Sequence, residues 1–172
     1  PEKISELLVT AYPMTTYFEI AETMSDNIFD TEVKTNANIS NEQSFNWEMQ
    51  TQIDNDTENG FWTGSYEAIA AANQALLSIE KLGNPSSLNP QKGEALIARA
   101  YNHFMLVSLF SNRYNPATAA TDLGVPYVTE PETALLGQYK RNSVKEVFDL
   151  AEKDLLEGLK YVTNNYKEPK YH

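Results

Sequence analysis

Three carboxylates, Asp54, Asp56 and Glu58, stand at alternating positions in the stretch DNDTENG. Oxygen ligands so spaced suggest calcium, but an EF-hand loop needs Gly at its sixth position and Glu at its twelfth. Asn59 and Ser65 stand there, so the stretch reads as a solvated acidic loop. The two histidines, His103 and His172, form no H-E-x-x-H or related pair, and a lone helical His reads as structural or exposed. The chain has no Cys, which removes disulfides, thiolate zinc sites and cysteine nucleophiles. A hydrolase built on Asp54 and Glu58 has nothing in the sequence to set the carboxylate spacing or raise a pKa. No catalytic residue, metal ligand or cofactor is therefore assigned.

Aromatic chemistry remains. Trp47 lies in NANISNEQSFNWEMQTQIDNDTEN, a polar run rich in Asn and Thr, beside Asn46 and near Phe45. A flat ring can stack on the apolar face of a sugar while amides and carboxylates bind its hydroxyls. The competing reading makes Trp47 a loop anchor packed on the core. Trp62 begins a regular helical stripe, which points it toward the core. Arg99, set among alanines, needs a carboxylate if buried; Asp154, Glu94 and Asp26 are the candidates.

The 172 residues are enough for one domain with a real core, at 41% hydrophobic and 22% charged. A net charge of -11 repels phosphate backbones and anionic lipid, so nucleic acid is not an expected partner. No run approaches the ~20 apolar residues that span a bilayer.

The elements that must position these side chains read as nearly all α. A helical stripe runs through Ile4, Leu7, Leu8 and Ala11 to Pro13, and a second through Tyr17, Ile20, Ala21 and Met24. From Asp30 to Asn59 the pattern dissolves into a long loop or short irregular pieces. Trp62, Tyr66, Ile69, Asn73, Leu76 and Leu77 form one face of a strong helix that ends near Gly83. Asn89-Pro90 reads as a cap and first-turn proline for the next helix, which runs to about Phe110. Residues 111–141 are irregular, with a short extended piece at Val125 to Val128. Ser143 and Glu146 then form a capping box for a third strong helix. Its stripe, Val144, Val147, Phe148, Ala151, Leu155, Leu159 and Val162, is wider than one neighbour covers, so part of it is expected exposed. Ala100-x-x-x-Phe104 fits the second helix of a tetratricopeptide unit, and Tyr66 and Phe104 are expected to face each other across the hairpin.

The order of four segments is more specific. Trp62, Tyr66, Ile69, Ala72 and Asn73 are followed by Glu94, Ala95, Arg99, Ala100 and Phe104. Then come Leu123, Gly124, Val125 and Pro126, and finally Arg141, Ser143, Val144, Glu146, Val147, Asp154 and Leu155. This series resembles the SusD/RagB family of Bacteroidetes outer-membrane glycan-binding lipoproteins, over roughly Glu2 to Val162. One departure is Ser111-Asn112, where family members often carry a glycine.

The resemblance implies an all-α fold of tetratricopeptide-like helical hairpins with long irregular loops. It implies one SusD-like N-terminal helical domain over 1–172, part of a longer chain. Within it fall N-terminal helices and polar loop at 1–59, a repeat-like helix pair at 60–111, an irregular insertion at 112–141 and the first helix of a second repeat at 142–165. It further implies non-catalytic glycan binding at the outer cell surface, with delivery to a SusC-like TonB-dependent transporter. Membrane attachment would come only through an upstream lipid anchor. The family's glycan site draws aromatics from the region before the first repeat helix, which maps to Asn36–Trp62 and makes Asn46, Trp47 and Trp62 the candidates. Asn73 is expected to satisfy a buried backbone group. The alternative is a helical-repeat module that binds a protein and no glycan.

Overall fold

In the computed structural model the described residues are 1–31, 38–132 and 137–162. Asn36, His172 and the tail after Val162 lie outside them. Six α-helices occur among the described residues: α1 (Glu2–Val9), α2 (Phe18–Thr23), α3 (Ile39–Phe45), α4 (Glu58–Lys81), α5 (Asn89–Phe110) and α6 (Val144–Leu159). The fold is all-α. Among the described residues the only β pairing is an isolated antiparallel bridge between Leu123 and Ser143.

The chain divides into two compact units, Pro1–Tyr12 with Ser65–His172, and Pro13–Gly64. In the first, Leu8, Ala11, Ala72, Ala75, Ile79, Leu88, Ala95 and Ala98 share one buried cluster. Alanines dominate it, so the helix backbones approach closely. α5 and α6 also lie close, since a Cβ added to Gly158 would stand 2.9 Å from the Gly93 carbonyl oxygen and 2.8 Å from Ile97 Cγ1. The α6 face turned inward is Val144, Val147, Ala151, Asp154 and Gly158, while Leu155, Leu156, Leu159 and Val162 are exposed. Part of the expected stripe is thus uncovered.

The helix ends follow local chemistry, with two corrections. Ser143 accepts from the Glu146 N–H and the Glu146 carboxylate accepts from the Ser143 N–H, completing the capping box. α1 stops ahead of Pro13 because the Thr10 N–H and hydroxyl both donate to the Leu7 carbonyl. Asn89 does not cap α5: it has helical dihedrals, and a 3-10 turn at Ser86–Leu88 leads into the helix. The α4 stripe is also rotated. Phe61, Ser65, Ala68, Ile69, Ala72, Asn73, Ala75 and Ile79 are buried, whereas Trp62 and Tyr66 are half-buried.

The second unit is built differently. Its buried hydrophobics among the described residues are Ile20 and Phe61, with Thr23, Ser40, Ser44 and Thr57 buried beside them. Tyr17 meets Phe61 edge-on at 5.7 Å. The polar run expected as loop contains α3, capped by the Asn38 side chain accepting from the Ser40 N–H. Asn41 of α3 donates to the Glu19 carboxylate of α2. With so few apolar residues, hydrogen bonds rather than periodicity define this helix, and sequence periodicity passes over it.

Candidate functional site

Two clusters gather the residues that carry chemistry. The first is a buried polar network in the first unit. Arg99 makes a two-pronged pair with Asp154, Nε to Oδ2 at 2.7 Å and Nη2 to Oδ1 at 2.8 Å. Asp154 is thus the partner among the three carboxylates considered. Arg99 Nη1 donates to Asn73 Oδ1 at 2.9 Å and to the Thr129 carbonyl at 3.3 Å. The Asn73 amide donates to the Val128 carbonyl at 3.0 Å, the role expected of it. Tyr66 donates to the Pro126 carbonyl and Tyr127 to Asp154 Oδ2. The segment 123–130 is therefore strapped down by side chains from α4, α5 and α6.

His103 is fully buried within this network and stacks on Tyr127 with ring centroids 3.8 Å apart. Its Nδ1–H donates to the Arg99 carbonyl, and its Nε2 accepts the Val128 N–H at 3.0 Å. A carbonyl can only accept and an N–H only donate, so one neutral tautomer is fixed. Burial pushes the His103 pKa down to about 4. Burial likewise raises Tyr66 and, with the Asp154 hydrogen bond, Tyr127. These groups hold the chain's own backbone, which makes the cluster a structural lock. The expected Tyr66–Phe104 pair does not form. Tyr66 faces His103 edge-on, and Phe104, 46% exposed, meets Phe148 of α6. Register along α5 decides this, because His103 rather than Phe104 points into the hairpin.

The second cluster surrounds the end of α3. The Trp47 N–H donates to the Ser44 carbonyl and the Glu48 N–H to the Gln43 carbonyl. This is a Schellman motif with Trp47 at the position after the C-cap, where Gly is usual. Trp47 accordingly has φ +57°, a left-handed conformation disfavoured for a bulky residue. The loop that follows is tied back to α3 by uncharged side chains. The Thr51 N–H donates to Gln43 Oε1 at 2.9 Å, and Gln50 Nε2 donates to Ser44 Oγ at 2.6 Å. Gln50 Oε1 accepts the Glu58 N–H at 2.7 Å, at the first residue of α4. Within this brace Trp47 is 73% exposed, and Asn46 and Glu48 are exposed beside it in sequence. Trp47 is therefore no loop anchor. Exposure alone does not single it out, since Met14, Phe29, Met49 and Ile53 are also exposed. Its backbone does: strain of this kind persists only where surrounding structure imposes it.

Of the other candidates, Asn46 is the C-cap of α3, and Trp62 is half-buried on α4 with interactions of its own. Asp54 and Thr57 close the turn before α4: the Thr57 hydroxyl donates to the Asp54 carbonyl, and the Asp56 carboxylate accepts from Thr16. Among the described residues no three His, Cys, Asp or Glu side chains are grouped to hold a metal. None of the described helices is long and apolar enough to cross a membrane. An open groove in the first unit is lined by the end of α5, Thr121–Leu123 and Arg141. Its Asp122 carboxylate accepts from Thr118, and Arg141 donates to the Leu123 and Gly124 carbonyls.

The SusD-like family model described as "Starch-binding associating with outer membrane" matches residues 1–172, and the chain belongs to that family. Its fold is similar to that of a SusD superfamily protein from Bacteroides thetaiotaomicron VPI-5482, with a TM-score of 0.70 at 19% identity. The likeness covers 93% of this chain and 36% of that one, so the chain spans about a third of that protein's length. A search of curated proteins finds no match.

Proposed function

We propose that this chain takes part in non-catalytic capture of a glycan at the outer surface of the cell, with Trp47 as the stacking ring. The observation that carries the reading is Trp47 held exposed, in a strained conformation, by an amide-braced loop. Membership of a starch-binding, outer-membrane-associated family supports it. Asn46 and Trp62 are the further candidates for contact. In this reading the whole protein is held by a lipid anchor and hands its glycan to a SusC-like TonB-dependent transporter. Residues 1–172 form its SusD-like N-terminal helical domain.

Affinity electrophoresis and calorimetry with starch and a polysaccharide panel test this. Stacking on one ring is worth about 1–3 kcal/mol, so Trp47→Ala is expected to weaken binding roughly 5- to 150-fold with unchanged helical circular dichroism. Unchanged affinity would remove Trp47 from the site. A second reading, a helical-repeat surface for another protein, is favoured by the uncovered Leu155, Leu156 and Leu159 of α6 and Val162 just beyond it. Self-association relieved by Leu156→Lys/Leu159→Lys would support it.

A further inference from the structure

Charge is distributed very unevenly over the chain. Residues 13–64 carry ten Asp and Glu against one Lys, a net -9, and the remaining residues carry 14 against 12, a net -2. The lysine, Lys34, lies outside the described residues. The described part of this unit thus holds nine carboxylates and no Lys or Arg. Trp47 sits in this unit, flanked in sequence by Glu42 and Glu48, both exposed. The groups that brace its loop, Gln43, Gln50, Thr51 and Ser44, are uncharged.

Resting on the glycan reading above, we infer that the Trp47 site selects uncharged glycans and rejects those bearing uronate or sulfate groups. Two physical arguments agree. Acidic sugars are recognised through Arg and Lys, which match carboxylate and sulfate oxygens with charged donors, and the described unit offers neither. Each acidic group brought to the ring also enters a field of nine like charges, a repulsion that salt screens over about 8 Å at physiological ionic strength. An uncharged glycan meets neither obstacle, since stacking and amide–hydroxyl hydrogen bonds carry no net charge. The family description names starch; the charge partition instead concerns which glycans this site excludes.

The test uses matched pairs differing only in charge, starch with carboxymethyl starch and xyloglucan with sulfated xyloglucan, alongside dextran, galactomannan, polygalacturonate and heparin. Binding is measured at about 10 mM salt, where the Debye length is about 30 Å. The expected result is that every glycan bound through Trp47, as judged by loss in Trp47→Ala, is uncharged. An acidic partner of a bound neutral glycan should bind at least tenfold more weakly and recover part of that loss as salt rises. Glu42→Lys/Glu48→Lys should narrow the gap, because it shifts the local charge by +4. Trp47-dependent binding of an acidic glycan as tight as its neutral partner would overturn the inference and leave the glycan site standing. Absence of Trp47-dependent binding to any member would overturn the site and the inference together.

Discussion

The chain ends two helices in the same way with very different residues. At the end of α4 the Gly83 N–H donates to the Glu80 carbonyl and the Asn84 N–H to the Ile79 carbonyl, with Gly83 at φ +81°. At the end of α3 the same pair of bonds runs from Trp47 and Glu48 to Ser44 and Gln43, with Trp47 at φ +57°. Glycine takes this conformation without a Cβ penalty, whereas a side chain there costs on the order of 1 kcal/mol. The first end is a stop. The second is a stop that also holds an indole ring away from the protein. The units around them differ in parallel: one is locked by a buried charged network, the other braced by uncharged amides.

The largest expected effect breaks the locked side of this contrast. Arg99→Met leaves Asp154 buried without its partner, and breaking such a pair costs about 3–5 kcal/mol. Urea denaturation should show that loss. A cost below about 1 kcal/mol would mean the strap is held by other groups.

Acid should loosen the same lock. The folded pKa of His103, about 4, lies below its ordinary 6.5, so between those values the unfolded chain binds more protons. Stability is then complete above pH 6.5 and falls as pH drops toward 4, by up to about 3 kcal/mol. His103→Gln should flatten that stretch of a stability–pH curve. The protection factor of the Val128 amide, which donates to His103, should fall over the same window once the intrinsic pH dependence of exchange is divided out.

Smaller effects separate close packing from helix ends. Gly158→Ala must push α5 and α6 apart or strain them, at about 1–3 kcal/mol in a thermal melt. The finest test exchanges residues at the two matched positions. Trp47→Gly should raise stability by about 0.5–1 kcal/mol while removing glycan binding, and Gly83→Ala should lower it by about 1 kcal/mol. If Trp47→Gly instead destabilises the chain, the ring contributes to packing and the contrast between the two ends fails.

Some of this is legible in the amino-acid sequence itself. The Ser143 capping box, the Gly83 stop, the α4 and α5 helices and the order of segments that marks the family all rest on residues close in sequence. Asn73 and Arg99 are recognisable there as buried polar groups needing partners. The candidate site is legible only in part, as an aromatic in an amide-rich run. Its helix is not, because Ser40 and Ser44 rather than apolar residues form the buried face of α3.

The sequence alone determined what is local: that α4, α5 and α6 form, that Ser143 caps one of them and Gly83 stops another, and where acid accumulates. A cap joins residues three to five apart, and charge is counted without knowing the fold. Tertiary structure alone decided that Asp154 and not Glu94 or Asp26 pairs with Arg99, that Asn73 reaches Val128 across 55 positions, and that His103 takes the place beside Tyr66 expected of Phe104. It also decided that Trp47 faces water, because a ring's exposure depends on how the following loop is folded back against its helix. Those outcomes depend on helix register and crossing, set by packing over the whole unit, and no short stretch of sequence contains that information.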